Sequence, residues 1–305
     1  MLIGTLAVSS FVIYSALYLA PGNPIATLTG GRTPSPEAVR ILEERYHLND
    51  PFLVRYWDWV VAVLHGDFGV SIPLHQDVST LIGERIGITL GLVAYAAIII
   101  LILGIGAGIL AALRPGLTDT SVIVASTISA ALPSFIAAIV LLLVFSVQLG
   151  WFPSFGPGEA GVDRIYHLTL PAIALALASL AIVSRVTRAC VREELKREHV
   201  QTAISRGIPR HLVIRRHVLR NAAIPITTVA GLTIASLIAL SAVVERAFAL
   251  NGLGAYLIQA SLSKDFAVVQ GIALVLVVAF VVTNTVIDIL YALLDPRVQL
   301  GERAS

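Results

Sequence analysis

Four stretches of this chain, residues 1–20, 86–113, 120–158 and 221–244, contain no Asp, Glu, Lys or Arg. About 20 apolar residues wound as a helix cross the roughly 30 Å of bilayer hydrocarbon. Inside lipid, a segment must also satisfy its own backbone hydrogen bonds. Runs of this length and number therefore read as membrane-spanning helices. Charged residues make up 13% of the chain, against about 25% in a soluble domain. The fold class is all-α and polytopic, with six transmembrane helices at about 1–20, 87–113, 121–148, 168–187, 224–244 and 268–291. Pro21, Gly22 and Pro24 end the first, and Arg114-Pro115-Gly116 ends the second. The first run lacks the basic start of a signal peptide and is longer than its apolar region, so it reads as a span. With no basic residue before it, a true N-terminus upstream is expected. Trp151 and Phe152 fall where the third span reaches an interface.

The basic residues set the orientation. Residues 114–120, 185–223 and the C-terminal tail together carry 13 Lys/Arg and 6 Asp/Glu; residues 21–86, 149–167 and 245–267 carry 8 and 12. Loops rich in Lys and Arg stay in the cytoplasm. The first set is therefore inside, with both termini, and residues 21–86 form an extracytoplasmic segment. Within that segment, Ser35-Pro36-Glu37 reads as a helix start. Leu53, Trp57, Val60, Val61 and Leu64 share one face of an amphipathic helix suited to the outer membrane surface.

The same residues argue against chemistry inside the bundle. All seven histidines lie outside these spans, as does Cys190, the one cysteine; it allows no intrachain disulfide and suggests no metal site. Asp288 is the one acid within them. Ion-coupled carriers and membrane enzymes need ionisable or catalytic groups at depth, so both are disfavoured. Lys196 follows Leu195 and Lys264 follows Ser263, so no Gly-Lys-Ser/Thr phosphate loop can be built. Any energy source is expected on another chain, with no cofactor on this one.

One loop remains, between the fourth and fifth spans. Its sequence predicts a short helix ending near Arg206, a left-handed turn at Gly207 and a second helix opened by Pro209. Leu212, Val213, Arg216 and Arg220 would form one stripe of that second helix. A basic loop with such internal structure reads as a docking surface for a soluble partner.

This loop resembles the EAA loop of binding-protein-dependent ABC importers. Gln201-Thr202-Ala203, then three residues and Gly207, then His217-Val218-Leu219-Arg220 follow that pattern. Gln stands for Glu, His for Ile and Arg for Pro, departures that resemble the dipeptide/oligopeptide branch, as does His217 to Pro225. Ala20-Pro21-Gly22-Asn23-Pro24, Leu48-Asn49-Asp50-Pro51, Gly66 to Gly69, Asn251-Gly252-Leu253-Gly254 and Tyr291 to Arg297 are similar to further motifs of that branch. Gly87 stands where the branch is expected to have Pro.

The resemblance implies the type I ABC importer permease fold. It divides the chain into a first transmembrane helix (1–20), an extracytoplasmic segment (21–86), a five-helix permease core (87–298) with a cytoplasmic coupling loop (188–223), and a tail (299–305). The implied protein is a permease in the bacterial cytoplasmic membrane, forming half of a path for di- or oligopeptides. Nickel and glutathione importers use similar permeases. The implied partners are a second homologous permease, two ATP-binding subunits and an extracytoplasmic binding protein, with no nucleic acid. The resemblance assigns the ATPase-coupling surface to Gln201, Thr202, Ala203, Arg206, Gly207, Leu212, Arg216, His217 and Arg220.

Overall fold

A computed structural model of the chain describes residues 2–18, Glu37, Arg40 and 50–294. The expected helix start at 35–37, most of the segment before Asp50 and the C-terminal tail fall outside these residues or touch them at Glu37 alone. Two compact units partition the chain: residues 1–87 with 252–281, and residues 88–251 with 282–305.

In the first unit, α1 (Leu2–Tyr18) carries no charge and packs against α2 (Phe52–Leu64). The contact is aromatic. Phe11 meets the Phe52 and Tyr56 rings edge-on at 5.9 and 5.3 Å, and Tyr14 stacks at a tilt on Trp59 at 5.4 Å. Such pairs add about 0.5–1.5 kcal/mol beyond area burial. Ser10 Oγ and Tyr56 Oη lie 2.9 Å apart, and Ser10 Oγ donates to the Ala7 carbonyl. The two hydroxyls thus satisfy each other between the helices. The stripe expected to be apolar does form, with Leu53, Trp57 and Leu64 at 67%, 65% and 79% exposure on a face away from α1.

The helix α2 ends because Gly66 takes φ +84. Its N–H bonds the Val63 carbonyl while Asp67 N–H reaches Ala62, closing a Schellman motif. Asp67 Oδ1 then accepts from Gly69 N–H at 2.8 Å, turning the chain into a short hairpin, β1 (Val70–Ser71) against β2 (Gln76–Asp77). The rest of this unit is the start of α3 (Val78–Leu113), α9 (Leu253–Leu262) and α10 (Phe266–Leu294). Val78, Leu81, Ile82, Leu253, Tyr256, Val268 and Ile272 form its core. Buried Asp265 accepts a hydrogen bond from Ser71 Oγ at 2.5 Å, which ties the hairpin to the approach of α10.

In the second unit, α4 (Leu117–Ala131), α5 (Ser134–Gln148) and α8 (Arg210–Ala247) all pack on α6 (Val162–Glu194), as does α3. Of the apolar window of α6, 61% is buried, against 28–44% for α3, α8 and α10. Many of its inward residues are small, among them Ala172, Ala174, Ala176, Ser179, Ala181 and Ser184. Small side chains let membrane helices approach closely, where dispersion contacts drive association. Gly108 of α3 marks the closest approach: a Cβ there would sit 2.5 Å from both the Ser184 carbonyl oxygen and Thr187 Cβ.

The expected span at 121–148 is a correction. It is two helices, α4 and α5, meeting at 103°. Pro133 disfavours a helical conformation in the residue before it, and Leu132 is extended, at φ −90 and ψ 112. Among the described residues, four helices are long and apolar enough to cross a membrane, five if the bent pair counts once, and α1 is apolar but shorter. The six expected spans therefore fall on α1, α3, the bent pair, α6, α8 and α10. α6 has 33 residues and α8 has 38, about 50 and 57 Å of helix. Both overrun the hydrocarbon, which places His217 and Glu245 on helix α8, beyond the span 224–244.

Replacing Gly108 by Leu forces α3 and α6 apart. Overpacking of this kind costs about 1–3 kcal/mol, so the thermal midpoint of the purified protein should fall. Gly106→Ala, where no atom lies within 4 Å of an added Cβ, should leave it unchanged.

Candidate coupling surface

The loop after α6 is built as a short helix held under the bundle. Arg197 is extended and precedes α7 (Glu198–Ser205), whose first turn carries Glu198, favourable beside the positive helix end. α7 stops at a second Schellman motif. Gly207 sits at φ +72, its N–H bonds the Ile204 carbonyl, and Ile208 N–H bonds that of Ala203. Pro209, at φ −54, then caps the start of α8. The left-handed turn, the first helix and the proline-led second helix all stand where the spacing predicts them.

One side of α7 is apolar. Val200 and Ala203 are buried with Val191 of α6 and with Val213, Val218, Ala222 and Ile226 of α8. The other side exposes Gln201, Thr202, Ile204, Ser205 and Arg206. Lys196, Glu198, Gln201, Thr202, Ser205 and Arg206 line a shallow open depression there. Gln201 Nε2 donates to the Leu195 carbonyl at 2.9 Å, which fixes one wall.

The nine expected residues do not share one face. Gln201, Thr202, Arg206 and Gly207 are outward, but Ala203 is an internal anchor at 4% exposure. Along α8, Arg216 and Arg220 are exposed, Leu212 and His217 are half-buried, and Val213 is buried. The expected stripe breaks because the helix winds as a π-helix over Val213–Val218. The wider turn brings Val213 and Val218, five residues apart, to the same inward side.

Sequence reasoning passed over several residues. Ile204 is 52% exposed on the outward face of α7. Glu194, His199 and Asn221 form a polar cluster joining α6, α7 and α8: Asn221 Nδ2 donates to Glu194 Oε1 at 2.9 Å, and His199 Nε2 lies 3.0 Å from the same oxygen. Asp119 in the first turn of α4 pairs with Arg188 and Arg192 of α6, and Arg185 donates to Ser126 Oγ and to the Ser126 carbonyl. The spacing of Arg185, Arg188 and Arg192 on one helical face is the signal the sequence offers for these pairs; their number alone speaks only to topology. Glu245, at 0% exposure, accepts a hydrogen bond from Thr89 of α3 at 2.7 Å. It lies one residue beyond the expected fifth span, 224–244. Among the described residues no group of His, Cys, Asp and Glu could hold a metal ion.

Residues 104–300 match the family of binding-protein-dependent transport system inner membrane components, and residues 2–93 match the N-terminal family of the same membrane components. The chain is 37% identical to the oligopeptide transport system permease protein AppB of Bacillus subtilis, over 96% of this chain and 94% of that one. It is 32% identical to the oligopeptide permease OppB of Escherichia coli K12, covering 97% and 96%. With the dipeptide permease DppB of Alkalihalophilus pseudofirmus it shares 31%, covering 98% and 97%. Among solved structures, an inward-facing MetNI methionine ABC transporter chain aligns with a TM-score of 0.56 at 17% identity, covering 70% of this chain and 96% of that one. The fold is that of a type I ABC importer permease, an integral membrane protein and not an enzyme, of a kind that works with an ATPase and a binding protein. The chain belongs to the binding-protein-dependent transport system inner membrane components.

Proposed function

We propose that this chain is one of two homologous permease subunits of a bacterial inner-membrane importer for di- and oligopeptides. The observation that carries the reading is 31–37% identity, over nearly the whole chain, to permeases named for oligopeptide and dipeptide transport. Two ATP-binding subunits bind and hydrolyse ATP on the cytoplasmic side, an extracytoplasmic protein delivers substrate, and this chain carries no cofactor. The outward face of α7, with Gln201, Thr202, Ile204 and Arg206, seats in a groove of one ATPase. Gly207 and Pro209 fix its angle to α8, and the basic side chains of Arg216, His217 and Arg220 flank the contact. Proteoliposomes holding the assembled transporter and its binding protein should take up radiolabelled dialanine or tetra-alanine on addition of ATP. Uptake of nickel ions or glutathione, but of neither peptide, would remove peptides as the substrate class. The chain purified without ATPase subunits should hydrolyse no ATP, since it contains no Gly-Lys-Ser/Thr.

Both termini and the α7 surface lie in the cytoplasm, with residues 21–86 outside. Single cysteines at Ser35 and Ser205, introduced with Cys190 removed, test this with a membrane-impermeant maleimide. Position 35 should label in intact cells and position 205 only after lysis; the reverse pattern would sink the topology.

The joint at Gly207 makes the sharpest test of coupling. A Cβ there meets no atom within 4 Å, so the only cost of a side chain is backbone strain at positive φ. Gly207→Val costs about 1–3 kcal/mol, relieved by re-angling α7 and pulling Val200 and Ala203 from their apolar seat. Transport should collapse while membrane abundance stays normal. Gly207→Asn should retain more transport, because Asn accepts the left-handed region more readily.

A further inference from the structure

α7 is held to the bundle in two different ways. The apolar seat of Val200 and Ala203 against Val191, Val213 and Val218 is non-directional, and contacts of that kind tolerate rotation and sliding. The polar cluster at Glu194 is directional. Glu194 is the last residue of α6 and its side chain is only 12% exposed. Its Oε1 takes the amide hydrogen of Asn221 from α8 at 2.9 Å and faces His199 Nε2 of α7 at 3.0 Å. Asn221 Nδ2 and His199 Nε2 are themselves 3.2 Å apart, so the three side chains converge on one point. Arg197 Nε lies 3.6 Å from the second carboxylate oxygen, and the His217 ring is 6.5 Å from that of His199.

We infer that Glu194 is the positioning residue that locks α7 to α6 and α8 together, so that a push on the outer face of α7 moves both long helices as one. The inference rests on the proposed docking of that face on an ATPase. Without the carboxylate, α7 stays seated by its apolar side but turns about its own axis, and ATP hydrolysis no longer drives the two helices in step.

The test uses the assembled transporter in proteoliposomes, with binding protein, radiolabelled tetra-alanine and ATP. In Glu194→Ala, peptide imported per ATP hydrolysed should fall by at least about fivefold. The half-saturating peptide concentration and the yield of assembled complex should not change. His199→Ala should lower the ratio to a similar level, and adding Glu194→Ala to it should lower it no further. The exchange of Glu194→Gln with Asn221→Asp moves the carboxylate to the other side of His199 and should restore most of the ratio that Glu194→Gln alone loses. A residue that served stability alone would show loss of complex and no such rescue. If Glu194→Ala fails to assemble, the isosteric Glu194→Gln and the exchange carry the same comparison. A wild-type ratio in Glu194→Ala or Glu194→Gln, or an exchange that restores nothing, overturns the inference. If Gly207→Val is inactive while the Glu194 variants keep the ratio, this inference alone fails. If Gly207→Val also imports normally, the docking role of α7 fails with it.

Discussion

Close packing of small residues along α6 is the constraint on which the rest of the second unit depends. Between lipid-embedded helices there is no hydrophobic driving force, because acyl chains are as apolar as leucine; contact area and short-range attraction must serve instead. Alanine and serine at the buried positions of α6, and Gly108 opposite Ser184 and Thr187, supply that area by letting backbones approach. Polar staples then fix the rotation of the neighbours. Asp119 of α4 lies between Arg188 and Arg192 near the C-terminal end of α6. A charge-paired end and an apolar, small-residue middle give α6 a defined azimuth as well as a defined depth.

The candidate surface on α7 inherits its geometry from that helix. α6 continues to Glu194, about 50 Å from its start, and α7 follows after three residues. α8 begins two residues after the turn at Gly207 and runs back through the unit as 38 residues. The short helix is therefore suspended between two long helices, and its buried side is made from both. A displacement of α7 has little slack to be lost in, because the turn before it is short and the turn after it is a hydrogen-bonded Schellman motif capped by proline. The π-helical turn over Val213–Val218 is the one irregular element on this route. It turns two valines inward at the level of α7 and leaves Arg216 outward, so the same turn serves the apolar seat and the polar exterior.

Much of this was legible in the sequence, for physical reasons that can be named. Charge-free runs report membrane helices because lipid penalises exceptions heavily, and Gly207 followed by Pro209 reports a helix–turn–helix because few residues satisfy both backbones. What was not legible depends on packing between distant segments. Ala203 reads as a surface position in a basic loop, yet it is buried, because the partner surface comes from Val213 and Val218 of a π-turn that no periodicity announces. The single apolar run 121–148 conceals a 103° bend; Pro133 was visible, but an interior proline in a membrane helix can be tolerated, as Pro171 in α6 and Pro225 in α8 are. Glu194, His199 and Asn221 are spread over 28 residues of chain, and only the fold brings them together.

Glu245 bears on the choice between an ATP-driven permease and an ion-coupled carrier. A fully buried acid on a long apolar helix is what a carrier would show, and the absence of one at depth in the expected spans is what disfavours that class on sequence. Its placement argues otherwise. Glu245 lies two residues before the end of α8, where its own carbonyl accepts Leu250 N–H and Ala249 turns the chain at φ +49. Its side chain takes a hydrogen bond from Thr89 of α3 at 2.7 Å. The carboxylate thus joins the end of one helix to the flank of another. Burying it is costly unless it is held, and holding it fixes the register between α3 and α8 at the point where α8 must stop. On the proposed function, that is the placement of a clamp between two helices.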